Sequence, residues 1–444
     1  AYYLCSVADR VLLNPEGMLD WSGMASAPMF FKDVLEKIGV KMQVFKVGTY
    51  KSAVEPFTST EMSDANREQV TSYLTSIWNN MLEDVAISRG IETAALNTLA
   101  DSLTVMAPAQ TSVEGGLVDT LCYISDVKNI LKEKAEIGED ENLNFVSLDD
   151  VAKSETLQEK ISEEVAVYYA YGDIVESTSG GFSQSHQIAS KEVVKDLQEL
   201  REDDDIKAVV IRVNSGGGSA YASEQIWHEV ELLKAEKPVV ISMGGMAASG
   251  GYYIGCAADK IIANRNTLTG SIGVIAGRFV DLTELMAKYG IKSKTIHAGR
   301  NKIMGSFDEP ATEEQKQIMQ SIADECYAQF TQIVAERRNL DLEKVISLAD
   351  GRIYTALQAK DLGLVDEIAN FEKAVEIFKT DIFNDKDYDA EVKEYKMKPK
   401  KNLVKMLKGA TSMFDNNRNI ISDIHTLVEA KKIPFPAFYC DWGR

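Results

Sequence analysis

The chain has 444 residues, 45% of them hydrophobic, and a formal net charge of −20. That length supports a large core in two or three domains of ordinary size, and the acidity argues against nucleic acid as a partner, since phosphate neutralisation needs a concentrated basic face. No run of about 18 apolar residues occurs, so no membrane-spanning helix is expected, and the opening residues lack the charged start and apolar stretch of an export signal.

Taken in order, the chain repeats itself when slid by about 250 residues. Tyr2-Tyr-Leu-Cys-Ser-Val-Ala-Asp9 lies over Tyr252-Tyr-Ile-Gly-Cys-Ala-Ala-Asp259, and Lys37-Ile-Gly-Val-Lys41 over Lys288-Tyr-Gly-Ile-Lys292. Leu99-Ala-Asp101 then matches Leu348-Ala-Asp350, and Gly116-Leu-Val-Asp119 matches Gly363-Leu-Val-Asp366. Identities that keep their order over this span indicate two copies of one α/β unit. The second copy has an upstream portion, from about Glu163 to Gly250, without a counterpart ahead of Tyr2, so the first copy is expected to be incomplete. The expected organisation is residues 1–135 as the later part of the first copy, 136–163 as an acidic linker, 164–379 as a complete second copy, and 380–444 as a tail. Within that tail the basic run from Lys393 to Lys401 reads as a solvated segment, or as one that lies on an anionic membrane.

In the second copy, Val165–Ala170 is β-branched and aromatic and predicts a strand, and Ser190–Arg201 has the apolar spacing of an amphipathic helix. Lys207–Val213 and Pro238–Ser242 are short apolar runs, as suits parallel strands buried on both faces. Ala222–Ala235 between them predicts a crossover helix, giving βαβ alternation and an open α/β layer structure. Residues 310–339 predict a long helix that matches 61–89 in the first copy.

Two glycine-rich stretches carry the chemistry. Asn214-Ser-Gly-Gly-Gly-Ser219 follows a buried strand; its glycines admit close approach of a ligand to exposed N–H groups, although the same run also suits an ordinary turn. It lacks the Gly-Lys-Ser/Thr of a phosphate loop. Ser242–Asp259 reads as a strand end, a glycine-rich turn and a helix start, with Ser249 at the junction, where helix N–H groups face a developing negative charge. A serine needs a base. None of His186, His228, His297 and His425 sits in a recognisable constellation with an acid, which leaves a desolvated lysine. Lys51 and Lys302 stand at equivalent repeat positions. The five cysteines, Cys5, Cys122, Cys256, Cys326 and Cys440, lack a CxxC pair and read as small buried hydrophobes rather than a disulfide framework or a zinc site.

Ser242–Asp259, Asn266-Thr-Leu-Thr-Gly-Ser-Ile-Gly-Val274, the Val213–Ser219 loop and Gly48-Thr-Tyr-Lys-Ser-Ala-Val-Glu-Pro-Phe57 together resemble signal peptide peptidase A, the protease IV family S49 of serine-lysine peptidases, in its long tandem form. The resemblance covers roughly residues 1–375 and implies a ClpP/crotonase-like α/β fold in two tandem copies, with no metal or nucleotide cofactor. It implies Ser249 as nucleophile from the second copy and Lys51 as general base from the first, with Lys302 as the rival base by the short form of the family. It also implies Gly217 and Gly250 as oxyanion donors. Peptide substrates such as signal peptides, a homo-oligomeric ring, and an extracytoplasmic place at a bacterial cell membrane through a missing N-terminal anchor follow from the same resemblance. The chain departs from the family at Gly216, where proline is frequent. Two alternatives remain open: a crotonase-like acyl-CoA enzyme, which requires catalytic carboxylates, and an inactive scaffold or fragment.

Overall fold

The computed structural model describes residues 1–102, 107–138, 141, 143–146, 164–178, 186–294, 296, 304–383 and 391–395. The fold is mixed α/β. In the first copy, β1 (Leu12–Leu13) pairs in parallel with β3 (Thr120–Leu121), and β2 (Lys41–Val47) lies between them in sequence. The 26-residue helix α1 (Asp64–Arg89) starts at Ser63, whose hydroxyl accepts from Asn66 N, and stops at Gly90 in the left-handed conformation. Its apolar residues Leu82 and Val85 join Val11, Trp21, Leu96, Leu117 and Val118 in a separate small core.

The second copy holds the main sheet. Strands β4 (Glu164–Tyr171), β7 (Ile206–Ser215), β8 (Val239–Ala248) and β9 (Lys260–Ala263) run parallel in that order. A short parallel pair, β5 (Asp173–Val175) and β6 (Gln187–Ala189), precedes β7. Successive residues of a strand face opposite sides, and here both sides are covered. Val209, Ile211 and Ile241 pack under α2 (Ser190–Glu202) and α3 (Ala220–Glu236). Val165, Val167, Ala208 and Val240 pack against Ala374, Ile377 and Phe378 on the other side. This two-sided burial explains why these strands read as unbroken apolar runs.

Strand β8 runs past its expected end at Ser242 to Ala248, through Gly244 and Gly245. The glycines lie in a bulge: Met243 pairs with Val213 and Ala247 with Ser215, so three residues of β8 face one of β7. Asn214 Oδ1 accepts from Met246 N at 3.0 Å and fills the gap. Beyond the bulge, β8 changes partner from β9 to β10 (Leu268–Gly270), which forks the sheet. The chain then turns at Ser249 into the short helix α4 (Gly250–Gly255). Strand β11 (Val274–Asp281) leaves this sheet and pairs antiparallel with β2 of the first copy, Val47 opposite Val274. The 26-residue helix α5 (Glu313–Arg338), β12 (Ile353–Thr355, antiparallel to β10) and β13 (Glu367–Ile368, parallel to β9) complete the copy.

The repeat is legible at the level of single contacts. Tyr2 OH donates to Leu117 O and Tyr252 OH to Leu364 O, each at 2.9 Å. Arg89 pairs with Asp119 and Arg338 with Asp366, and the same two carboxylates accept from Val11 N and Ile261 N. Helices α1 and α5 match in length, and both end on a left-handed residue, Gly90 and Asn339.

Several readings change. Of the described cysteines, Cys256 alone is fully buried; Cys5 is exposed, Cys122 and Cys326 are half-buried, and all four are free thiols. The first three residues of the basic run belong to β14 (Glu391–Tyr395), an edge strand parallel to β4. The rest of that run, Cys440, His297, His425, Lys302 and most of the 136–163 linker lie outside the described residues. Among the described residues no helix is long and apolar enough to cross a membrane.

Candidate active site

The cross-copy ladder of β2 and β11 brings the site together. In an antiparallel pair the chain leaving one strand runs beside the chain entering the other. Residues just past Val47 therefore meet residues just before Val274, and Lys51 meets Ser271. Lys51 Nζ lies 2.7 Å from Ser271 O, 2.9 Å from Ser271 Oγ and 3.0 Å from Ser249 Oγ. Residues 198 positions apart in sequence, from different copies, thus share a hydrogen bond.

Lys51 is 6% exposed. Its stem runs through a slot of two glycines. A methyl on Gly351 would lie 2.8 Å from Lys51 Cγ, and one on Gly273 would lie 3.2 Å from Lys51 Cε. Burial penalises the charged amine and pushes its pKa down to about 7. Among the described residues no carboxylate hydrogen-bonds the amine, and the nearby carboxyl of Glu55 is engaged by Ser63 and Asn66. A neutral amine has two N–H bonds and one lone pair. With both hydrogens directed at Ser271 O and Oγ, the lone pair faces the Ser249 hydroxyl.

Ser249 itself has φ 54° and ψ −121°, a region unfavourable to side chains and worth roughly 1–3 kcal/mol of strain. The surroundings hold it there. Its N–H donates to Gly270 O at 2.9 Å, and its carbonyl accepts from Tyr252 N and Tyr253 N. The neighbouring glycines are tightly packed: a methyl on Gly251 would lie 2.6 Å from the backbone Ser215 O, and one on Gly250 would lie 2.5 Å from Ser223 Oγ and 3.2 Å from Gly217 Cα and Gly218 N.

Gly217 presses on this turn, since a methyl there would lie 2.6 Å from Gly250 N and 2.9 Å from Ser249 Cβ. Its φ of 102° also favours glycine. Its N–H donates to Ser215 Oγ at 3.1 Å, and the Ser215 hydroxyl in turn donates to Gly172 O. At Gly216, by contrast, a methyl would meet only Met246 Sδ at 3.4 Å, an ordinary contact.

Ser249, Lys51, Gly217 and Gly250 therefore come together. Neither described histidine, His186 or His228, hydrogen-bonds Ser249 or Lys51. Sequence reasoning missed Ser271, which has a φ of 52° and whose carbonyl and hydroxyl oxygens both contact the amine. Its mark in the sequence was its place in the Thr-Gly-Ser-Ile-Gly turn.

Comparison with known proteins agrees with this architecture. The model of peptidase family S49 matches residues 1–138 and 231–382. Protease 4 of Haemophilus influenzae is 34% identical over 84% of this chain and 62% of its own length. A chloroplastic serine protease SPPA of Arabidopsis thaliana is 29% identical over 85% of this chain and 56% of its own. A protein of Enterococcus faecium described as a putative signal peptide peptidase SppA is 37% identical over 54% of this chain and 70% of its own. The chain thus spans about three fifths of the length of the first two relatives. With the family model matched in both copies and identity at this level, the chain belongs to peptidase family S49.

Proposed function

We propose that the chain is a serine endopeptidase in which Ser249 is the nucleophile and Lys51 the general base, with the unit of residues 1–135 supplying the lysine and that of 164–379 the serine. The observation that carries this reading is the contact of 3.0 Å between Lys51 Nζ and Ser249 Oγ, with the amine buried and held near neutral pKa. The Ser249 proton passes to Lys51 as Oγ bonds to the scissile carbonyl carbon and the carbonyl π pair moves onto oxygen. Gly250 N–H and Gly217 N–H stabilise that oxyanion, the second shared with Ser215 Oγ. On collapse the C–N bond breaks and the Lys51 ammonium protonates the leaving amine. Water, deprotonated by Lys51, then attacks the acyl carbonyl carbon; the ester C–Oγ bond breaks, the Lys51 ammonium returns its proton to Ser249 Oγ, and the carboxylic acid product leaves.

The crotonase-like alternative requires catalytic carboxylates, and none accompanies Ser249 or Lys51 among the described hydrogen bonds. Residual signal peptides and other short apolar peptides are the proposed substrates, in keeping with the resemblance and with the name of the E. faecium relative. A ring of several copies at the extracytoplasmic face of a bacterial membrane is the proposed setting.

The pH dependence tests this reading. Only the neutral amine accepts a proton, so kcat/KM for a peptide is expected to rise with pH through about 7, the depressed value for Lys51. A rise delayed until about pH 10, where an ordinary lysine titrates, would contradict it.

A further inference from the structure

Lys51 sits on a turn of the first copy, and its partners belong to the second, so its reach depends on what joins the two. Both residues beside it are tied by Gln69, and Tyr50 is held by Arg352 as well. Gln69, on α1 and 3% exposed, donates through Nε2 to Tyr50 O and to Ser52 Oγ, each at 3.1 Å. Its Oε1 accepts from Ile353 N on β12 at 3.3 Å. One amide thus spans both flanks of Lys51 and a strand of the other copy.

Arg352 completes the junction from the opposite side. Its guanidinium lies 3.9 Å from the centre of the Tyr50 ring and pairs with Glu68 at 3.0 Å and Asp350 at 3.5 Å. Tyr50 OH donates to the same Glu68 carboxylate at 2.7 Å. The Arg352 carbonyl accepts from Ser271 N at 2.7 Å, and Asp350 O accepts from Tyr50 N at 2.9 Å. The segment that fixes Ser271 is therefore the one that grips the residue before Lys51.

We propose that Gln69 and Arg352 are positioning residues of the site, a two-point clamp between the copies that sets the reach and the burial of Lys51. The inference rests on the peptidase reading above. Magnitudes favour geometry over bulk stability as the role of Arg352. An ion pair as exposed as Arg352 with Glu68 adds little to folding, whereas a misplacement of about 1 Å at a reacting group costs on the order of 10²-fold in rate. The charged groups around the Lys51 segment are Lys46 from β2, whose Nζ donates to Lys51 O at 3.1 Å, Glu55 from the following turn, Glu68 from α1, and Asp350 and Arg352. None of them touches the amine, so water entry is the route by which a loosened clamp changes its titration.

The test compares the full chain with Arg352→Ala and Gln69→Ala in peptide hydrolysis across pH, with thermal unfolding as the check on folding. The expected result is a fall in kcat of about tenfold or more with KM held within about twofold. The acidic limb is expected to move up by about one pH unit as water reaches Nζ. Millimolar guanidinium should restore part of the Arg352→Ala rate, and Arg352→Lys should recover little, since an ammonium cannot stack and fork as the guanidinium does. Should Arg352→Ala fail to fold, Glu68→Gln removes the same pair from its exposed side and should move the limb in the same direction. Folded variants whose limb stays at the wild-type pH would overturn the clamp while leaving the peptidase reading intact. An inactive wild type would remove both.

Discussion

Replacing Lys51 by alanine is expected to lower peptide hydrolysis by about 10³-fold or more, and Ser249→Ala to lower it to background. The two losses should not add, because each residue acts only through the other. Lys51 is the sole basic group within hydrogen-bond reach of Ser249 Oγ among the described residues, and the two Ser271 oxygens offer acceptors for both hydrogens of its neutral form. Truncation to alanine leaves Ser249 without an acceptor for its proton and opens the glycine slot of Gly273 and Gly351 to water. Lys302→Ala should retain activity. Steady-state cleavage of a fluorogenic peptide decides the matter, and a silent Lys51→Ala beside an inactive Lys302→Ala would reassign the base.

Gly217→Ala is the second substitution of large effect, expected to reduce kcat by about 10²- to 10³-fold. The added methyl would lie 2.6 Å from Gly250 N and 2.9 Å from Ser249 Cβ. Both are atoms of the turn that carries the nucleophile, and neither belongs to a flexible side-chain end. The backbone at φ 102° would be strained as well. The turn must shift, and with it the Gly250 N–H proposed to face the oxyanion. Gly216→Ala, one residue earlier, meets only Met246 Sδ at 3.4 Å and should change kcat by less than about threefold. Parallel kinetics of the two variants separate the steric account from a general intolerance of the loop, which would make them equally inactive.

The parts of this protein that were legible in its sequence are those set by local pattern. Strands β4 and β7 appeared as apolar runs because both faces of each are buried, and α5 as a long helix because it carries a cap at Thr312 and sustained periodicity. The sequence predicts an end for β8 at Ser242 because glycines at 244 and 245 look like a turn. They pass through the sheet only because Asn214 caps a bulge and β10 supplies a new partner, and neither fact is local. Ser249 was visible as a serine at a glycine-rich strand-to-helix junction.

Lys51 stood out by its repeat position and its family resemblance, whereas its burial and lowered pKa are products of tertiary packing against Gly351 and Gly273. Gln69 and Arg352 carry no sequence mark of their roles, and Ser271 carries only its place in the Thr-Gly-Ser-Ile-Gly turn. A buried amide that bridges Tyr50, Ser52 and Ile353 is defined by the docking of one copy on the other, which no window of sequence contains.

The central claim is that Ser249 is made nucleophilic by Lys51. The most direct measurement is labelling of the full chain with a fluorophosphonate, followed by peptide mapping of the modified residue. The account predicts covalent modification at Ser249 that rises with pH through about 7 and is lost in Lys51→Ala. Modification at another serine, or labelling of Ser249 undiminished by Lys51→Ala, would contradict it.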